Sequence, residues 1–176
     1  SGTLLVTNTV TSTGSANTTG ALTLGAAVTT LNIDATTNLT TGAVTNSTAA
    51  ALTTVKVTGA GKVDIDAAAL QASVKSIDAS GNSGGLNVDM GSLVTQTVVG
   101  SSGDDLITAG NVLTTGSVDA GAGTDTLVLD NATYVATAAL GAKYTNFETL
   151  TVNGVSQDVS LVGGITKVNL GTATSK

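Results

Sequence analysis

The chain has 176 residues and a formal net charge of −6, with 22 Gly, 41% hydrophobic residues, 10% charged residues and 2% aromatics. It has no Cys, His, Pro, Trp or Arg, which removes disulfides, thiolate and imidazole metal sites, Cys and His catalysis, and bidentate grips on phosphate. Six scattered Lys against eleven Asp and one Glu, Glu148, exclude a nucleic-acid-binding patch, and no stretch is apolar for long enough to insert in a membrane.

Thr, Val, Asn and Gly dominate while Glu and Lys are scarce, which predicts an all-β chain. No basic region followed by an apolar core marks a signal peptide. The start at Ser1-Gly2 without Met and the stop at Lys176 read as one domain, 1–176, excised from a larger protein.

An apolar column runs Leu22, Val44, Ile65, Leu86, Ile107, Leu127 at spacings of 22, 21, 21, 21 and 20. A second runs Leu31, Val55, Ile77, Val98, Val118 at 24, 22, 21 and 20. Two columns in step predict a parallel β-solenoid of β-roll type, with coils of about 21 residues and two short strands per coil. Eight or so coils stacked about 4.8 Å apart give a rod on the order of 40 Å long. Alternation in Leu31-Asn32-Ile33, Val55-Lys56-Val57, Val63-Asp64-Ile65 and Leu86-Asn87-Val88 puts aliphatics inside and polar residues outside. A narrow interior admits few rings, and Gly and Asn suit the corners.

The period breaks after Leu129. The segment 130–146 is expected to form one irregular insertion, with a short helix or loop over 135–143. It holds Tyr134 and Tyr144, with Phe147 next to it, and these read as a small satellite core. Strand pattern resumes at Phe147–Val152 and Ile165–Leu170.

Two segments carry chemistry. Gly100-Ser101-Ser102-Gly103-Asp104-Asp105-Leu106-Ile107-Thr108 and Ala120-Gly121-Ala122-Gly123-Thr124-Asp125-Thr126-Leu127-Val128 both fit the calcium nonapeptide, each with one glycine replaced by a small residue. Glycines let the turn aim carbonyls inward, and the sixth-position Asp supplies a charged oxygen. Ca²⁺ takes six to eight oxygens, more than one turn offers. Asp105 and Asp125 are 20 residues apart, so the coil period stacks them on one edge. The turn Thr58-Gly59-Ala60-Gly61-Lys62-Val63 keeps the glycines but has Val63 in place of Asp, and earlier coils have only Gly20, Gly42 and Gly84 there. The opposite edge, Ala109-Gly110-Asn111, lacks the motif. Calcium is therefore expected near 100–125 alone.

On these motifs the chain resembles the RTX-type proteins, and more narrowly the calcium-dependent surface-layer proteins and adhesins that Gram-negative bacteria export by type I secretion. The runs from Val74 to Leu86 and from the second nonapeptide to Val152 are similar to repeats of that group. The resemblance implies a β-roll, calcium at the turns and folding after export. Asp105 and Asp125 would then be side-chain ligands, the carbonyls of Gly100, Ser102, Gly121 and Gly123 backbone ligands, and Asp104 and Asp119 flanking contributors.

Other candidates read more plainly. Asp34, Asp64, Asp66, Asp78 and Asp89 form a solvated face. Thr30, Thr54, Ser76, Thr97 and Ser117 form an outward hydroxyl ladder, but Asn32, Lys56, Asp78, Val99 and Asp119 beside it are too irregular for an ice- or carbohydrate-binding array. No base partners the hydroxyls for Ser–His–Asp chemistry, and sugar hydrolysis lacks aromatic platforms, so no enzyme is expected. The sequence reads as a structural calcium-binding segment of a secreted cell-surface lattice protein that self-associates. Surface polysaccharide would be reached through other parts of the parent. The alternative is a ligand-binding or spacer module of an adhesin.

Overall fold

The computed structural model describes residues 2–8, 17–46, 51–65, 70, 72–91 and 94–171. Asp66, assigned above to a solvated face, lies outside them. Two long parallel sheets form the walls of a β-solenoid. The first holds seven strands in the order β1 (Gly2–Asn8), β4 (Val28–Ala35), β7 (Thr54–Gly59), β9 (Ser76–Asn82), β11 (Thr97–Val99), β13 (Ser117–Asp119) and β15 (Tyr144–Thr145). The second holds eight: β2 (Asn17–Thr18), β5 (Leu39–Thr41), β8 (Val63–Ile65), β10 (Leu86–Asp89), β12 (Leu106–Ala109), β14 (Thr126–Leu129), β16 (Thr149–Asn153) and β17 (Lys167–Gly171). A small third sheet pairs β3 (Leu22–Leu24) with β6 (Val44–Asn46). Neighbours in each long sheet are one coil apart in sequence, so the ladder bonds run along the solenoid and each coil rests on the next.

Strand alternation sets the interior. The second apolar column is in strict register, Leu31 on Val55, Ile77, Val98 and Val118, and every member is buried. The first column differs from its expected alignment. Ile65 stacks on Val88, Ile107, Leu127, Leu150 and Val168, whereas Leu86 pairs with Val63 and Leu22 with Val44 in the separate small sheet. Leu86 and Val88 both point inward because strand side chains repeat every two residues. A spacing rule therefore accepts either, and only the ladder decides. The hydroxyl ladder is in register, Thr30 on Thr54, Ser76, Thr97 and Ser117.

The insertion contains one short helix, α1 (Ala138–Gly141), whose first turn is capped by Thr137, its Oγ1 accepting from Leu140 N at 3.3 Å. The aromatics are not a satellite. Tyr144 sits in β15 on Val118, and it and Phe147 are buried within the main core, with Tyr134 packed against it. Among the described residues, the last strand, β17, has Val168 42% and Leu170 85% exposed, paired with the buried Leu150 and Val152.

Candidate metal centre

The residue entering the second sheet from each turn forms one inner corner column: Val63, Leu86, Asp105, Asp125, Glu148. Val63 and Leu86 are core residues there. The next two coils put carboxylates in the same place, and both Asp105 and Asp125 are buried, Asp125 with no exposed surface. The coil register thus brings the two motif aspartates together on adjacent coils.

Backbone groups explain why an acid is tolerated at this corner. Leu86 N donates to Asp105 Oδ1 at 2.6 Å, Asp105 N to Asp125 Oδ1 at 2.7 Å, and Asp125 N to Glu148 Oε2 at 2.8 Å. Each carboxylate thereby satisfies the N–H of the coil before it, a donor that would otherwise be orphaned at a bend. Asp105 is fully engaged, since Oδ1 also accepts from Ser101 Oγ at 2.6 Å and Oδ2 from Ser101 N at 2.7 Å. Asp125 is not: its Oδ2 is buried and has no hydrogen-bond partner.

Burial raises the carboxyl of Asp105 above its ordinary value, opposed by the Ser101 and Leu86 hydrogen bonds and by the Lys62 charge. Asp125 is pushed up to about 6. Burial is the main cause, the Asp105 N–H opposes it, and the charges of Asp105, Glu148 and Asp104 add to it.

In the second motif turn Gly121 and Gly123 have φ of +94° and +142°, the left-handed side that disfavours residues with a Cβ. Gly61, Gly84, Gly103 and Gly123 stack backbone on backbone, so that a Cβ on Gly103 would come within 2.6 Å of Ser83 O.

The remaining candidates are dispersed. Asp104 Oδ1 accepts from Thr124 N at 2.8 Å. Asp119 lies in β13 on the other sheet, where its Oδ1 accepts from Gly121 N at 3.1 Å and Asn146 Nδ2 at 2.7 Å. Gly100 N donates to Asp119 O at 2.7 Å and Ser102 N to Asn82 O at 3.0 Å. Among the described residues no three or more Asp or Glu side chains converge as a metal-holding group, so an ion at this corner would draw on backbone carbonyls. The donor chemistry fits a hard cation: all oxygen, with one buried charged oxygen unpartnered.

Two residues of this corner lie outside the two motifs, and a third, Ser101, is the small residue that replaces a motif glycine. Glu148 continues the carboxylate column one coil on, and Ser101 and Asn82 fill turns from within. Glu148 follows Asp125 by 23 residues, near the coil period, which is a readable signal.

The fold and site define a parallel β-solenoid with an acidic inner corner. Compared with protein-family models, curated proteins and solved structures, the chain shows no significant match.

Proposed function

We propose that this chain is a structural, calcium-stabilised segment of an exported bacterial surface-layer protein that self-associates at the cell surface. The observation that carries the reading is Asp125, a buried carboxylate with one unpartnered oxygen in a glycine turn stacked on a second turn of the same motif. A divalent cation there would neutralise the mutual repulsion of Asp125, Asp105, Asp104 and Glu148 and link folding of these coils to the calcium outside the cell. When bound, Ca²⁺ supplies charge and coordination, not catalysis. Asp125 Oδ2 and the turn carbonyls of Gly121 and Gly123 are its first candidate ligands. Asp105, Asp104 and Glu148 shape the field.

Thermal unfolding with calcium and with chelator, followed alongside light scattering, tests this. Calcium is expected to raise the melting temperature, with the gain lost in Asp125→Ala, and to enlarge the particles. Identical melts in calcium and chelator would overturn the calcium reading. A calcium-stabilised protein that stays monomeric would favour the spacer module of an adhesin.

A further inference from the structure

The turn preceding the two motif turns solves the same corner without an acid. Gly59 pairs with Asn82, and the backbone bonds Ser83 N to Gly59 O (2.9 Å), Ser102 N to Asn82 O (3.0 Å) and Ala122 N to Ser101 O (3.2 Å) continue that row as Gly59, Asn82, Ser101, Gly121. This is a second inner column, beside the carboxylate column, and its side chains project into the turns.

Asn82 is 1% exposed. Its Nδ2 donates to Gly61 O at 2.9 Å and lies 3.5 Å from Thr58 O, both in the preceding coil. Its Oδ1 accepts from Gly84 N and Gly85 N, each at 3.0 Å, in its own turn. Two N–H groups on one side and two carbonyls on the other fix the orientation of the amide. The neutral NH₂ thus stands between coils as a hydrogen-bond donor to two converging carbonyl oxygens. Two oxygens each about 2.4 Å from one ion and at right angles lie about 3.4 Å apart, so these carbonyls and an acid oxygen at the Nδ2 position suit Ca²⁺ in spacing as well as in kind.

Ser101 does a related job one coil on, giving Asp105 both a hydroxyl and a backbone donor. One coil further, Gly121 N donates instead to Asp119 Oδ1 at 3.1 Å, and Asp125 Oδ2, the counterpart of the Asp105 oxygen that Ser101 N reaches, lacks a partner.

We infer that Asn82 is a built-in substitute for a cation, and that the inner column Asn82, Ser101, Gly121 sets which corners need a metal. Resting on the calcium reading above, the inference confines the ion to the Gly121–Asp125 corner. The coils at Asn82 and Ser101 are stable without it. The selectivity lies in the second position of each turn, held by Asn82, Ser101 and Gly121, and not in the acid alone.

The test is Asn82→Asp in the full chain. It keeps the acceptor for Gly84 and Gly85 and sets a second oxygen against the carbonyls of Thr58 and Gly61. In chelator the melting temperature is expected to fall by about 5 °C or more. Calcium is expected to restore most of that loss, and calorimetry to count one more Ca²⁺ per chain than in the parent. A loss that calcium does not restore, with an unchanged ion count, overturns the inference. Should Asn82→Asp not fold in chelator, refolding into calcium reads the same point, and failure there too counts against it. A parent protein that binds no calcium sinks the functional reading, while calcium rescue of Asn82→Asp still upholds the role of Asn82.

Discussion

The backbone N–H of Asp105 donates to Oδ1 of Asp125 across the gap between coils, at 2.7 Å. One motif aspartate therefore holds the other in place through its main chain, and their side chains are left in different states. Asp105 is saturated by Ser101 and Leu86, and Asp125 keeps a buried oxygen unpartnered. Two nonapeptides that read alike in sequence are unequal in the fold.

Asp125→Asn separates charge from shape. The amide keeps its acceptor for Asp105 N and removes one of four neighbouring acids. The variant is expected to melt higher than the parent in chelator, by about 2–4 °C for each kcal/mol relieved, and to lose the calcium response. Paired melts in chelator and calcium check both halves.

Asp105→Ala removes the acceptor of Leu86 N, Ser101 N and Ser101 Oγ together. Leaving buried donors unsatisfied costs about 1–3 kcal/mol each, so the variant is expected to be destabilised by roughly 3 kcal/mol or more with or without calcium. Denaturant unfolding under both conditions measures it.

The pH response follows from Asp125 and Asp105, both raised, Asp125 to about 6. An unfolded Asp titrates near about 3.9, so the folded metal-free chain binds protons more tightly than the unfolded one. Their contribution is fully present below about pH 4 and is lost as the pH rises through about 6. Asp78 and Asp158, lowered by hydrogen bonds from Ser80 and Ser160, pull the other way only at lower pH. Melts in chelator are expected to be higher at pH 5 than at pH 7.5. In calcium the order is expected to reverse, because protons compete with the ion.

Gly103→Ala tests the stacked glycines. A Cβ there would meet Ser83 O at 2.6 Å, Gly85 N at 2.9 Å and Gly84 C at 3.0 Å, all backbone, so nothing flexible can yield. The melting temperature is expected to fall by about 5 °C or more. A neutral result would mean that the coils are spaced more loosely than described.

Much of this architecture is legible in the sequence because a solenoid repeats its own constraints. The column through Leu31, Val55, Ile77, Val98 and Val118 is in register as read. The slip at Leu86 shows the limit: two inward residues two apart satisfy the same period. The aromatic group misleads for a related reason. Tyr144 looks like part of an excursion, yet it re-enters the first sheet on Val118. At the corner, the motif points to Asp105 and Asp125 but not to the partners that saturate one and spare the other. Of those partners, Leu86 N is set by coil-to-coil alignment and Ser101 by the local turn, and Asn82 resembles any turn asparagine until its four partners are seen.

The one-coil-to-the-next ladder has a mechanical consequence. The first and last strands lie at opposite ends of the sheets, so tension applied between them meets the coils in series. Each coil that peels away frees about 21 residues, roughly 70 Å of extended chain, while its neighbours keep their own ladders. Such a rod yields in steps and re-forms the same way, and any ion seated at the Asp125 corner would set the strongest step.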